Sequence, residues 1–484
     1  FLCGLGAGGL AAAALRRRGF SALSLLTLSA GAGGLLLFAV PALGTWLCSR
    51  EVLLTADTPE GLLAQALFGC GLVLLPLTFC LGGVFPVAWE LVGARSASQG
   101  RVLGLALAVN KLGAAAGTAL ALFLFLPLLG LAQATVLVAW GYVGVAGVAI
   151  MWLQTRTPWR LACLAGVAAI GLSQTVRKEP VLGLAADERV VAAYAGAYGP
   201  AAVVENKASG SRQILLNSRQ RLSGTRRALA SQRHQSWIPL LLCRQPDRVV
   251  TIGMAAGISA AAALDFPLKE LHSVELVPDV VEAARTHFGD WNAALFADPR
   301  SRVHTGDGRV VLARLPGTFD AIICDLFFPS EDGTANLYSR EFFQASRARL
   351  NPGGVFCLWL PCYQQTPQTA GIVIRTFTEV FPYAIMVRAN MDPLQPVLGL
   401  VGANAPIPLS GEHLEQRLKA ISGRSPFFRS AETARLLFVA DLHSVEPDFS
   451  AFPITTDDHP LFAYLGPRQP RGKERLFGFP LLEW

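Results

Sequence analysis

One small-residue turn and three carboxylates punctuate the second half of this chain of 484 residues. Gly253-Met-Ala-Ala-Gly257 follows an apolar run, and Glu275, Asp307 and Asp325 each stand at or just past the end of another. A turn of this kind lets a ligand approach the backbone and the N-terminus of the next helix. It is not the phosphate-binding G-x-G-x-x-G, because Ala255 and Ile258 occupy the second and third glycine positions. Glu275 is suited to accept hydrogen bonds from both hydroxyls of a ribose. Asp307, with Gly308 beside it, is suited to accept one from an adenine amino group. Asp325 would then face the reacting end of the ligand. The competing reading makes Glu275 an exposed strand-end charge and Asp307 a turn former.

Strands and helices alternate around these residues. Strands are expected at 248–252, 271–276, 302–304, 319–324 and 355–360. Helices are expected at 258–264, 278–288 and 338–350, the last closed by Asn351-Pro-Gly-Gly354. This order implies an α/β, doubly wound (Rossmann-like) parallel sheet, in which ligands bind outside the carboxyl ends of the strands. The turn and the three acids fall at those ends, one per successive strand. Upstream, 202–205, 212–216 and 220–222 read as short strands, and a helix follows with apolar positions at Leu229, Trp237 and Leu240.

The first third of the chain has another character. Thirteen of the 75 charged residues fall in 1–175, and the whole chain is 52% hydrophobic and only 15% charged. That excludes a disordered chain, a basic nucleic-acid-binding tail and an ordinary soluble enzyme. Apolar stretches at about 1–15, 20–48, 62–91, 102–129, 131–153 and 160–175 read as five or six transmembrane helices, the last short. The chain opens at Phe1 inside such a stretch with no basic segment before it, as expected of a chain whose earlier spans are missing rather than of a signal peptide. Arg16, Arg17 and Arg18, then Arg95 and Arg101, then Arg156 and Arg160 mark the loops expected on the cytoplasmic side. Gly113-x-x-x-Gly117 is expected to allow close helix approach. Lys111 with Asn110 is expected to snorkel or to mark a transport path, and Glu90 to sit at the interface. The domains expected are 1–175 (transmembrane helices), 185–243 (a small β-rich subdomain) and 244–470 (the α/β domain).

Nine cysteines without a CxxC pair, and seven histidines scattered beyond residue 230, support neither a metal site nor a disulfide framework. The net charge of +7 lies mostly in the apolar third and gives no sign of a nucleic-acid partner.

The runs RVVTIGMAAGISAAAAL, HSVELVPDVVEAAR, DPRSRVHTGDGR, FDAIICDLFFP…LYSREFF and LNPGGVFCLWL resemble the spermidine synthase (polyamine aminopropyltransferase) family, in particular its membrane-fused bacterial branch. The resemblance covers about 185–400, with TTDDHPLFAYLGPR at 455–468 as a tail. It implies a class I S-adenosylmethionine methyltransferase-type fold, decarboxylated S-adenosylmethionine as co-substrate with no metal, a polyamine such as putrescine as acceptor, and a homodimer. Because such nucleoside donors are made in the cytoplasm, it places the soluble domain on the cytoplasmic side of the inner membrane. A full span at 160–175 would place it on the other side.

Two departures from the family pattern stand out. The acidic position of the family's GGGDG loop is Ala256, and the second acid of its D-x-x-D-P loop is Phe328, in Asp325-Leu-Phe-Phe-Pro329. The family's upstream His-Glu pair is not evident, and Gln232-Arg233-His234-Gln235 stands in that region. Asp325 is then the expected catalytic acid-base group. Glu331 and Asp332 are placed to replace a lost carboxylate, and Tyr338 to orient the amine. The plainer reading makes Glu331 and Asp332 a solvated turn, Tyr338 a packing residue and Phe327-Phe328 a lid or apolar wall. Three functions stay open: aminopropyl transfer, methyl transfer from S-adenosylmethionine to another acceptor, and a non-catalytic nucleoside-binding transporter or sensor.

Overall fold

A computed structural model describes residues 1–49, 59–93, 99–152, 184–196, 198–217, 220–226, 228–325, 333–445 and 449–466. Two compact units result, Phe1–Leu184 with Ala195–Pro200, and Ala185–Tyr194 with Ala201–Trp484.

The first unit is helical. Its helices are α1 (Leu2–Arg17), α2 (Ala22–Ser49), α3 (Pro59–Gly82), α4 (Val84–Gly93), α5 (Gln99–Leu120) and α6 (Leu126–Trp152). Three stretches, Ala22–Gly44, Leu63–Leu91 and Gly100–Trp152, are long and apolar enough to cross a membrane. The third has 53 residues, about 80 Å of helix at 1.5 Å per residue, far more than a ~30 Å hydrocarbon core. It breaks at Gly130, whose φ of 74° and ψ of 173° are not helical, close to the boundary expected from the sequence. The expected segment 160–175 and the arginines at 95, 156 and 160 lie outside the described residues.

Among the described residues, close helix approach is seen at other glycines. Nothing among the described residues lies within 4 Å of a side chain added at Gly113 or Gly117, whereas one at Gly4 or Gly8 would strike Thr78 or Phe79, and one at Gly82 would strike Leu5. Gly4-x-x-x-Gly8 is therefore the spacing that seats α1 on α3. Glu90 is ion-paired with Arg16, not simply interfacial. Phe38 and Trp140 pack edge to face at 5.4 Å where α2 meets α6. Many apolar side chains point outward, Phe123 at 81% exposure among them.

The second unit holds two sheets. Strands β1 (Glu188–Gly196), β2 (Gly199–Asn206), β3 (Arg212–Leu216) and β4 (Gln220–Leu222) form a four-stranded sheet in that order. β2, β3 and β4 match the strands read from the alternation; β1 was not foreseen. Glu205 of β2 is held by Arg189 and Arg212.

The larger sheet comprises β5 (Arg248–Ile252), β6 (Glu270–Glu275), β7 (Ser301–Thr305), β8 (Phe319–Cys324), β9 (Leu350–Pro361), β10 (Tyr383–Arg388), β11 (Val397–Ala403) and β12 (Phe438–Asp441). Its spatial order is β12-β10-β11-β9-β8-β5-β6-β7. The five strands from β9 to β7 are parallel, as expected. β11, β10 and β12 are antiparallel, so the sheet is mixed rather than wholly parallel. The reason is local: only residues 389–396 separate β10 from β11, too few for a crossover and enough for a hairpin.

A second correction concerns 338–350. The helix there runs Arg340–Ala348, starts on Ser339 as N-cap and ends at Arg349. Leu350 already pairs with Phe319, so Asn351-Pro-Gly-Gly354 belongs to β9 and not to a helix cap.

Apolar cores cover both faces of the large sheet. A third core joins Ala201, Val203, Ile214 and Leu216 of the small sheet to Ala256, Ile258, Val277 and Phe288. The small sheet thereby packs against the glycine-rich turn and the helix Pro278–His287.

Candidate active site

The strand order places Asp325, the turn Gly253–Gly257, Glu275 and Asp307 at the carboxyl ends of β8, β5, β6 and β7, four neighbours along one edge. At ~4.8 Å per strand the row spans about 14 Å. Backbone bonds lock the edge. Gly253 N–H donates to the Val274 carbonyl, Gly306 N–H to the Glu275 carbonyl, and Asp325 N–H to the Ile252 carbonyl, all at 2.8–2.9 Å.

The turn needs its glycines. Gly253 and Gly257 have φ of 86° and 76°, and a side chain at Gly257 would lie 2.7 Å from Leu295 Cδ2. Ala255 adopts φ 47°, a conformation unfavourable for a residue with a Cβ. Its N–H donates to Glu275 Oε2 at 2.9 Å, and that bond holds the strained residue in place.

Glu275 is buried, so the reading as an exposed charge fails. Its Oε1 accepts from Val277 N–H at 3.1 Å. Burial pushes this carboxyl up, and the backbone amides of Ala255, Val277, Leu276 and Met254 draw it back. Of these amides, those of Ala255 and Val277 bond the carboxylate directly, one to each oxygen.

Asp307 is exposed and caps the helix Gly308–Arg314. Its Oδ1 accepts from Arg309 N–H at 2.8 Å and from Val310 N–H at 3.1 Å. Capping is thus its visible work, as the turn-former reading expected. Gly308 packs on β5, where a side chain would strike Ile252. Arg309 reaches across to Asp457 and the Asn336 carbonyl, which docks the stretch around Asp457 against this helix.

Asp325 is half-buried. Its Oδ2 accepts a hydrogen bond of 2.5 Å from Ser259 Oγ. Ser259 escaped the sequence reading, although it is the only hydroxyl in the Ile-Ser-Ala-Ala-Ala-Ala-Leu run. Ser223, whose Oγ accepts from Ala256 N–H at 3.2 Å, escaped it too.

Tyr338 is held by aromatic packing. Its ring is fully buried against Phe462, centroids 4.3 Å apart, and burial pushes its phenol up. Glu331, Asp332, Phe327 and Phe328 lie outside the described residues. Ala256 is wholly buried in the core that joins the small sheet to the turn, so no polar group stands where the family pattern has its acid.

The charge of Asp325 contributes to raising the Tyr363 phenol, after burial and the neighbouring Cys362. Tyr363 lines a cavity of about 190 Å³ together with Gln232, His234, Gln235, Asn390 and Asp392. Gln235 is 1% exposed, and neither end of its amide has a partner among the described residues. His234 is held between the Ala389 carbonyl at 2.8 Å and Ser425 Oγ at 3.0 Å. Among the described residues no group of three or more His, Cys, Asp or Glu is placed to hold a metal ion.

Residues 231–396 match the spermine/spermidine synthase domain. A polyamine aminopropyltransferase of Hyperthermus butylicus is 28% identical over 235 residues, which cover 46% of this chain and 75% of that protein. One from Nitrosomonas europaea is 33% identical over 130 residues, covering 26% of this chain and 40% of that protein. The spermidine synthase of Thermotoga maritima superposes with a TM-score of 0.46 at 20% identity, over 54% of this chain and 87% of that one.

Proposed function

Because residues 231–396 match the spermine/spermidine synthase domain, we propose that this chain is a membrane-anchored aminopropyltransferase. It moves an aminopropyl group from decarboxylated S-adenosylmethionine to a polyamine such as putrescine. The observation that carries this reading is the row of strand ends in which Glu275 braces the glycine-rich turn and Asp325 stands two strands away.

In this reading the adenosyl group lies along the edge, its ribose at Glu275 and its base towards Asp307. The acceptor enters the cavity lined by Gln235, Tyr363 and Asp392. Its neutral nitrogen attacks the propyl carbon next to the sulfonium. The C–N bond forms as the C–S bond breaks, and the electron pair goes to sulfur, so that methylthioadenosine leaves uncharged. The new ammonium gives its proton to Asp325, which Ser259 orients. Glu331 and Asp332 complete the acceptor end. The apolar helices anchor the domain to the inner membrane, with the catalytic side in the cytoplasm.

Methyl transfer from S-adenosylmethionine is favoured by one observation: Ala256 turns into the core, so the turn presents no acid to an aminopropyl ammonium. The test gives purified full-length protein labelled putrescine with decarboxylated S-adenosylmethionine, and separately S-adenosylmethionine alone. Methylthioadenosine and labelled spermidine are expected from the first mixture. S-adenosylhomocysteine from the second, with nothing from the first, would replace the reading by methyl transfer. Tight nucleoside binding without turnover would leave a sensor.

A further inference from the structure

A second cavity, of about 280 Å³, is lined by the helix Leu229–Leu242, β10, the helices Gly411–Leu418 and Ala431–Arg435, and the start of β12. Ile238, Leu241, Val387, Leu414, Phe428 and Leu437 form its walls, and all six are buried. Every lining residue is apolar except Arg435. The Arg435 side chain is exposed, donates from Nη2 to the Leu409 carbonyl at 3.0 Å, and forms no ion pair with a described carboxylate. The neighbouring Leu436 is 60% exposed.

From this arrangement we infer that the cavity binds the alkyl chain of a medium-chain fatty acid, with its carboxylate on Arg435. Volume and charge set the ligand class. An apolar cavity of about 150 Å³ takes up a benzene, so one of about 280 Å³ holds a chain of roughly ten carbons. A wall without a polar side chain rejects a hydrated or charged tail. A guanidinium with one fork face on a carbonyl and the rest unpaired matches a planar carboxylate. The site is built from elements that do not carry Glu275, Asp307 or Asp325, so it stands apart from the transferase reading.

The test is calorimetric titration of the full chain, reconstituted in nanodiscs, with decanoate and with decanol. Decanoate is expected to bind at one saturable site per chain and decanol more weakly. Arg435→Gln, at an exposed position, is expected to weaken decanoate about tenfold or more, as loss of a charge-assisted hydrogen bond does, and to leave decanol unchanged. Ala434→Phe, which fills the cavity, is expected to abolish binding of both. Equal affinity for decanoate and decanol, no effect of Arg435→Gln, or saturable binding that survives Ala434→Phe would each overturn the inference. Thermal stabilisation by methylthioadenosine, measured on the same variants, reports independently that the nucleoside site is intact.

Discussion

The two ends of the strand-edge site are held in different ways. At β6 and β7 the acids are tied to backbone: Glu275 to the amides of Ala255 and Val277, Asp307 to those of Arg309 and Val310. At β8 the carboxylate of Asp325 meets a side chain, the Ser259 hydroxyl. Backbone amides cannot rotate away, so the first end is a preformed cradle suited to binding. A hydroxyl can turn, donate or accept, so the second end can follow a change of charge on Asp325. In the proposed reading, the difference separates a binding half from a reacting half.

The sharpest way to break this division is Asp325→Asn. It is expected to lower kcat by about 100-fold or more, the scale of general base catalysis, with the KM for the nucleoside donor nearly unchanged, as read from methylthioadenosine release. A rise in donor KM with kcat intact would make Asp325 a binding residue. Glu275→Gln should do the reverse and raise donor KM about tenfold, since hydrogen bonds to a charged group are worth roughly 1.5–3 kcal/mol. Its mark is a loss that saturating donor recovers.

A smaller effect concerns stability against pH. Burial is the main cause that lowers His234, His272, His287, His304 and His413. The unfolded chain then binds more protons than the folded one below about pH 6.5. Stability is complete above that pH and is lost as pH falls through it towards the depressed values. A fall in Tm between pH 7.5 and 5.5 is expected, at roughly 2–4 °C per kcal/mol. His272 and His304 contact each other at 2.9 Å through their ring nitrogens, so His272→Gln should flatten the profile. An unchanged slope would remove this pair from the account. The smallest effect is that of Asp307→Ala, about 1 kcal/mol for the lost N-cap. Asp307→Asn keeps a capping oxygen, so any rise in donor KM in that variant reports contact with the base. No rise would leave Asp307 a cap and nothing more.

Much of the α/β domain was legible because its strands are short apolar runs ended by glycine or acid. β5 and β8 match the expected ranges to the residue. The strand-end placement of Glu275, Asp307 and Asp325 was legible because such positions repeat with the βαβ unit. Ser259 was not, since a lone serine in an alanine helix carries no periodic signal. A tyrosine next to an N-cap serine, as Tyr338 is, looks the same in a chain whether it faces a ligand or packs on a ring such as that of Phe462. Gly4-x-x-x-Gly8 and Gly113-x-x-x-Gly117 are equivalent as spacings, yet among the described residues only the first meets a neighbouring helix within 4 Å.

By itself the chain's pattern determined what is local: where apolar runs begin and end, which are long enough to cross a bilayer, and which acids follow a strand. These depend on spacing and on the chemistry of adjacent residues. Tertiary structure alone decided which partner each group meets. The antiparallel edge of the sheet, the burial of Ala256 and Glu275, the hydroxyl on Asp325 and the apolar cavity beneath Arg435 all join residues far apart in the chain. Packing selects such contacts through the shape of the whole domain, and no window of neighbouring residues contains that shape.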